Sequence, residues 1–218
     1  MNRSNPHRTA IRLFLAAAVL ALAVPAGAQE EMAGIMEPVT PRDHIRGNPA
    51  APVKLVEFAD TECPLCKRFH PALQRVVDDY PGKVAWVFRH FPIAEIHPKA
   101  PKEHEATECA AELGGEAAFW AYLDRLYEIT PSNDRFDPAE LPRIAQHVGL
   151  ERAPFEQCLR SGRHAARVAA DVADARAAGA PGTPYSVIVA PNGRIYAVVG
   201  AQPYAALRLV IDIALEQK

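Results

Sequence analysis

The sequence predicts an α/β domain interrupted by a block of helices, and three observations carry that expectation. A short apolar run, Val53-Lys54-Leu55-Val56-Glu57-Phe58, reads as a buried strand and leads straight into a helical pattern that opens on Cys63-Pro64-Leu65-Cys66. From about residue 94 to 179 the periodicity is helical throughout. Strand-rich runs then return on either side of Asn192-Gly193, a strong short-range hairpin signal. At 218 residues, 49% hydrophobic and 23% charged, the chain has ordinary globular composition, enough for one domain with a sizeable insert. A formal net charge of −2 gives no electrostatic footprint for nucleic acid.

The elements follow in order. From Cys63 to Tyr80 the residues Cys66, Phe69, Leu73, Val76, Val77 and Tyr80 fall on one helical face, with Pro71 inside the pattern as a bend. Val84 to Phe88 reads as a second strand, closed by Pro92. Glu103 to Glu128 reads as a long amphipathic helix interrupted at Gly114-Gly115. Asp137-Pro138-Ala139-Glu140 is a helix start, with an N-cap acid, a first-turn proline and a glutamate three residues on. Leu141, Ile144, Ala145 and Val148 line that helix, and Gly149 ends it. Pro154–Ser161 and Arg163–Ala178 read as two more helices, punctuated by Gly162 and Gly179. Tyr185–Val189 and Arg194–Val199 form the hairpin. A last helix runs from about Pro203 to Glu216, with Leu207, Val210, Ile211, Ala214 and Leu215 facing inward. Trp86, Phe119, Trp120 and Tyr122 are expected in the core.

Residues 1–28 read as an export signal. Arg3, Arg8 and Arg12 form a basic start, Leu13 to Val24 a run of 12 apolar residues, and Ala26-Gly27-Ala28 a small-residue cleavage site. The run is short for a membrane span. Residues 29–52, rich in proline and glycine, read as turn and coil leading into the first strand. The expected division is a signal peptide at 1–28, an extension at 29–52, a first domain part at 53–93, a helical insert at 94–179 and a second part at 180–218. An exported bacterial-type chain of this kind is expected in the periplasm, where disulfides persist.

The chemistry centres on Cys63-Pro64-Leu65-Cys66. A helix N-terminus offers free N–H groups and a positive dipole end, so a thiolate at Cys63 is stabilised there. Pro64 fits the first turn, where its missing N–H is no loss. Cys66, one turn on, is placed to resolve a mixed disulfide. A zinc site needs about four ligands, and no second paired-cysteine motif is present. A purely structural bridge across so short a loop gains little.

The segments RGNPAAPVKLVEFADTECPLCKRF, VFRHFP, EATECAAELGGEAAFW, FEQCL and GTPYSVIV together resemble the DsbA family of thiol:disulfide oxidoreductases, from about Arg46 to the C-terminus. The resemblance implies a thioredoxin-like fold interrupted by an α-helical insert. It assigns Cys63 as nucleophile, Cys66 as resolving cysteine and Glu57 as a buried acid relaying the Cys66 proton. It places Thr183-Pro184 as a cis pair facing the motif, which together with Pro64 and Leu65 would meet the substrate. It also implies a structural Cys109–Cys158 bridge in the insert. His90, in Phe88-Arg89-His90-Phe91-Pro92, matches a family stretch and is expected to be structural, while His97 and His104 are expected at the surface. One departure is that Pro-Leu stands between the cysteines where the best-known strong oxidants carry Pro-His. The Leu65 side chain offers the thiolate neither a hydrogen bond nor a charge, which leaves the strength of oxidation open.

On this reading the protein passes its Cys63–Cys66 disulfide to reduced or misoxidised client proteins as a monomer. It needs no organic cofactor or metal, because the dithiol carries the electrons, and a membrane redox partner would recharge it. A disulfide isomerase or reductase, a thiol-based metal carrier and a redox-inactive chaperone are the alternatives.

Overall fold

The computed structural model describes residues 36–218, so the expected signal peptide at 1–28 lies outside the described residues. Strand β1 (His44–Gly47) is followed by β2 (Val53–Ala59), helix α1 (Pro64–Asp79), β3 (Val84–His90) and the long helix α2 (Ala100–Ile129). A 3-10 turn (Pro138–Glu140) then leads into α3 (Leu141–His147), α4 (Arg152–Ser161) and α5 (Ala165–Ala177). The chain closes with β4 (Tyr185–Val189), β5 (Ile195–Val199) and α6 (Tyr204–Leu215). The five strands form one mixed sheet in the order β1-β3-β2-β4-β5. β2 and β3 are parallel, joined by α1 as a crossover, and the remaining pairs are antiparallel. This is a thioredoxin-like sheet with helices inserted between β3 and β4, as expected.

Strand β2 sits at the centre because it can be buried on both faces: from Leu55 to Ala59 every residue is buried. One face meets α1, α6 and the second half of α2, packing Leu55, Trp86, Phe88, Phe69, Leu73, Phe119, Trp120 and Ile211 together. The other face carries Val56, Phe58, Val87, Tyr185 and Val187 against Ala175 of α5. A separate insert core gathers Tyr122, Leu126, Leu141, Ile144, Phe155 and the Cys109–Cys158 disulfide. Trp86, Phe119, Trp120 and Tyr122 are core residues, as their size and spacing suggest.

Two element expectations need correction. The stretch 29–52 is not turn and coil throughout: its described part contains β1, which pairs antiparallel with β3 in the register His44↔Phe88. At four residues, His-Ile-Arg-Gly, the strand is too short and polar to show a period. Helix α2 is not amphipathic over its first half, since Glu103 to Ala110 are all buried between the sheet and the insert helices. Its interruption does occur. Gly115 leaves helical geometry at φ 70°, ψ −164°, a conformation open to glycine. The Asp137 cap also forms, with Oδ1 accepting from the Ala139 N–H at 3.0 Å, although the first turn is 3-10.

Candidate active site

The active-site loop follows from how β2 ends. The Asp60 carboxylate accepts hydrogen bonds from the Glu62 N–H at 2.8 Å, the Ile93 N–H at 2.8 Å and His97 Nδ1 at 2.9 Å. The Asp60 carbonyl accepts from the Cys63 N–H at 3.1 Å and from the Tyr127 hydroxyl at 3.3 Å. These bonds turn the chain and set Cys63 as the N-cap of α1, with extended φ −75°, ψ 120° and Pro64 beginning the first turn. The Cys63 carbonyl accepts the Lys67 N–H, so the residue starts the helix while its sulfur stays free at the end.

The two thiols, both free, have opposite surroundings. Cys63 keeps 7% exposure and Cys66 none. The Cys63 pKa is pulled down to about 6, first by a hydrogen bond from the Cys66 thiol, with burial opposing, and further by Thr183 and the backbone N–H groups of Cys66 and Leu65. The Leu65 side chain offers the thiolate nothing, but its backbone does. As a thiol, Cys63 Sγ donates to the Thr183 carbonyl at 3.5 Å. Burial pushes the Cys66 thiol well up, and the nearby Cys63 and Glu57 charges push the same way. The Asp60 N–H, 3.5 Å from Cys66 Sγ, works against that rise.

Glu57 lies on β2 beneath the motif, 1% exposed. Burial raises its carboxyl pKa to about 8; the Trp86 indole N–H, donating to Oε2 at 3.1 Å, offsets part of that, and Cys63 adds to it. At neutral pH Glu57 is therefore a buried, protonated acid in the same field as Cys66. The Thr183–Pro184 peptide is cis and precedes β4, which pairs with β2. Pro64 and Leu65 are exposed, with Pro184 buried beneath. Cys63, Cys66, Glu57, Thr183, Pro184, Pro64 and Leu65 are thus gathered at one place. Cys109 and Cys158 are bonded to each other in the insert core, with Cα atoms 5.8 Å apart.

Several site residues were not visible in the sequence. Asp60 and Glu62 carried no motif, yet both are fully buried and shape the loop. His97 and His104, expected at the surface, are 6% and 0% exposed. Both are drawn inside by hydrogen-bond partners, His97 by Asp60 and His104 by the Thr61 N–H at 3.3 Å to Nε2. The only signal was position: an acid three residues before a helix-capping cysteine is placed to bond the turning backbone.

His104 begins a buried chain whose proton positions follow from its contacts. With Nε2 accepting from Thr61, His104 Nδ1 donates to His90 Nδ1 at 2.7 Å. His90 Nε2 then donates to Glu108 Oε1 at 2.7 Å. His44 donates on both sides, to Glu108 at 3.0 Å and Glu116 at 3.0 Å, so it is an imidazolium. Burial would lower its pKa, but these carboxylates outweigh burial and hold it at about 9. His90 is fully buried within this network. His44, His90 and Glu108 stand close enough to share a metal ion. A metal on His90 Nε2 would reverse the chain and turn an N–H of His104 against the Thr61 N–H, so the donor pattern fits a hydrogen-bonded network.

Residues 39–212 match the thioredoxin family. The Na(+)/H(+) antiporter NhaA 3 of Salinispora tropica is 41% identical over 77% of this chain, and NhaA 1 of Salinispora arenicola is 36% identical over 77%. In both cases the match covers 24% of the relative, so the chain spans about a quarter of the length of these curated relatives. No helix among the described residues is long and apolar enough to cross a membrane. Among solved structures, Pseudomonas aeruginosa DsbA2 is 29% identical with a TM-score of 0.71, covering 83% of this chain and 98% of its own. A thioredoxin-like oxidoreductase from Silicibacter pomeroyi DSS-3 is 26% identical with a TM-score of 0.69, covering 82% and 95%. A two-thiol motif capping a helix beside a cis proline, on a sheet interrupted by helices, agrees with these matches: the chain belongs to the thioredoxin family, as a DsbA-like thioredoxin-fold oxidoreductase.

Proposed function

We propose that the protein is an exported dithiol oxidase that passes its Cys63–Cys66 disulfide to client proteins in the periplasm. The observation that carries this reading is the asymmetry of the pair: an acidic Cys63 at the helix start that keeps a sliver of exposure and a fully buried Cys66 behind it. A client thiolate attacks Cys63 Sγ, the Cys63–Cys66 bond breaks, and Cys66 leaves as a thiolate that takes a proton from Glu57. The second client thiolate then attacks the client sulfur of the mixed disulfide and expels Cys63 as a thiolate. The client loses two electrons and the motif gains them. A low Cys63 pKa makes it a good leaving group and stabilises the reduced form, both of which favour oxidation of the client. Thr183, Pro64 and Leu65 form the surface the client meets, and the buried Pro184 backs Thr183 there. A membrane redox partner accepts the two electrons when the motif is recharged.

The deciding experiment equilibrates the protein with glutathione buffers and follows the motif's oxidation state. A potential above roughly −220 mV supports the oxidase. A value below about −270 mV would make it a reductase instead. N-terminal sequencing of the mature chain tests export, with cleavage after Ala28 expected.

A further inference from the structure

The loop that delivers Cys63 also grips the segment following α2. Glu62, the residue before Cys63, is fully buried. Its carbonyl accepts from the Asn133 N–H at 2.8 Å, Oε2 from the Asp134 N–H at 2.9 Å and Oε1 from the Phe136 N–H at 3.0 Å. Lys67, one turn into α1, donates to the carbonyls of Glu128 at 3.2 Å and Thr130 at 2.5 Å. Residues on both sides of the motif therefore hold one short stretch of backbone.

That stretch has an unusual shape. Ser132, Asn133 and Asp134 have φ of 60°, 57° and 59°, three successive non-glycine residues in the left-handed region. L side chains resist this conformation, and it persists where surrounding contacts over-determine it. Here they do so while leaving Pro131, Asn133 and Arg135 exposed, with Asn133 bonded through its N–H to the residue that precedes the nucleophile.

We propose that the Pro131–Arg135 turn is a wall of the client site and that Glu62 is the positioning residue that fixes it next to Cys63. The inference rests on the exchange reading above. A client held by a mixed disulfide at Cys63 lies against the turn, so the wall contributes to recognition of extended protein clients and is not needed for a small dithiol.

The test compares oxidation of a reduced, unfolded protein with oxidation of dithiothreitol, glutathione disulfide serving as terminal oxidant in both, by wild type, Glu62→Ala, Glu62→Gln and Asn133→Pro. Asn133→Pro removes an N–H held by Glu62 and forbids positive φ without changing any charge. Both Glu62→Ala and Asn133→Pro should raise KM for the protein client about tenfold with kcat within about twofold. Glu62→Gln, which keeps one of the two acceptor oxygens, should restore part of that loss. The Cys63 pKa, read from thiolate absorbance in Asn133→Pro, should stay at its wild-type value. A client KM unchanged in Asn133→Pro would overturn the inference, as would equal slowing with dithiothreitol. A measurement independent of these variants uses Cys66→Ser joined to a client peptide through Cys63. Amide exchange across residues 131–135 should slow relative to the free protein, and unchanged exchange refutes the wall. If wild type oxidises neither substrate, the exchange reading itself has failed; if it oxidises both and the variants match it, only the wall has.

Discussion

At the scale of single residues, the two cysteines of the motif should behave as different chemical species. Iodoacetamide added to reduced protein should label Cys63 along a pH profile with its midpoint near 6, while Cys66 stays unlabelled. Equal labelling of both would remove the basis for the assignment. Cys63→Ser should abolish turnover, and Cys66→Ser, incubated with disulfide-bonded clients, should accumulate mixed disulfides as the Cys63 thiolate attacks the client bond. Glu57 gives a prediction with an unusual sign. Its folded pKa, about 8, lies above its unfolded value, so between pH 4.5 and 8 the native state binds more protons and stability falls as pH rises. Glu57→Gln should therefore be more stable than wild type at pH 8, by on the order of 4 kcal/mol, with the difference nearly vanishing at pH 4.5. The same substitution should slow turnover by about 10- to 100-fold, because Cys66 loses its proton donor. Thermal melts and steady-state rates on one set of samples check both. The cysteines were legible in the sequence because a paired-cysteine motif opening a helix fixes their surroundings, and Glu57 was legible only through the family resemblance, since β2 is buried without alternation from Leu55 to Ala59. Asp60, Glu62, His97 and His104 were not legible, because their partners are backbone N–H groups and side chains from 33 to 74 residues away.

At the scale of elements, α2 is held from two directions. The Cys109–Cys158 disulfide joins it to α4 across 49 residues of chain. Replacing both cysteines by alanine should cost about 2–4 kcal/mol in denaturant melts, since loop-closure entropy is returned to the unfolded state. Exchange at Cys63 should continue below the new melting point. On the other side, His44 of β1 bridges Glu108 and Glu116 of α2. Its folded pKa, about 9, lies above the unfolded value near 6.5. The bridge therefore stabilises fully below pH 6.5 and is lost as pH climbs to 9. Burial would raise Glu108, but His44 and His90 hold its pKa well below the usual carboxylate range, so its contribution is lost instead as pH falls. The wild-type advantage in Tm over His44→Ala should shrink steadily from pH 6.5 to 9.5; an advantage independent of pH would mean that His44 acts by packing on Phe119 alone. Strong periodicity made β2, α1, β4 and α6 readable. β1 escaped because its place depends on pairing with β3 and on His44 finding two acids 64 and 72 residues later.

At the scale of the whole molecule, the insert is not a detachable module. Helix α2 contributes Cys109, Tyr122 and Leu126 to the insert core and Phe119, Trp120, Leu123 and Tyr127 to the sheet core. Arg89 on β3 adds a second tie, bonding Asp43 at 2.8 Å and Asp174 of α5 at 2.6 Å, all buried. The chain leaves the sheet at His90 and rejoins it at Tyr185, and the energetics cross both points. Unfolding should be a single transition, with calorimetric and van't Hoff enthalpies equal and with Trp86 fluorescence and helical signal lost together. Arg89→Ala, which strands two buried carboxylates, should lower stability by about 3–5 kcal/mol while leaving that transition single.

The pairing of the four cysteines bears on how the chain can mature. Four cysteines allow three sets of two bridges. The set that joins Cys109 to Cys158 leaves Cys63 with Cys66, so partners are consecutive along the chain. A chain oxidised as it emerges from its N-terminus meets each correct partner before any later rival is available. When Cys109 arrives, the earlier two can already be joined, and it waits for Cys158 alone. If the chain is exported as proposed above and oxidised as it emerges, this order favours the correct connectivity without a shuffling step, whereas oxidation of the full-length denatured chain samples all three.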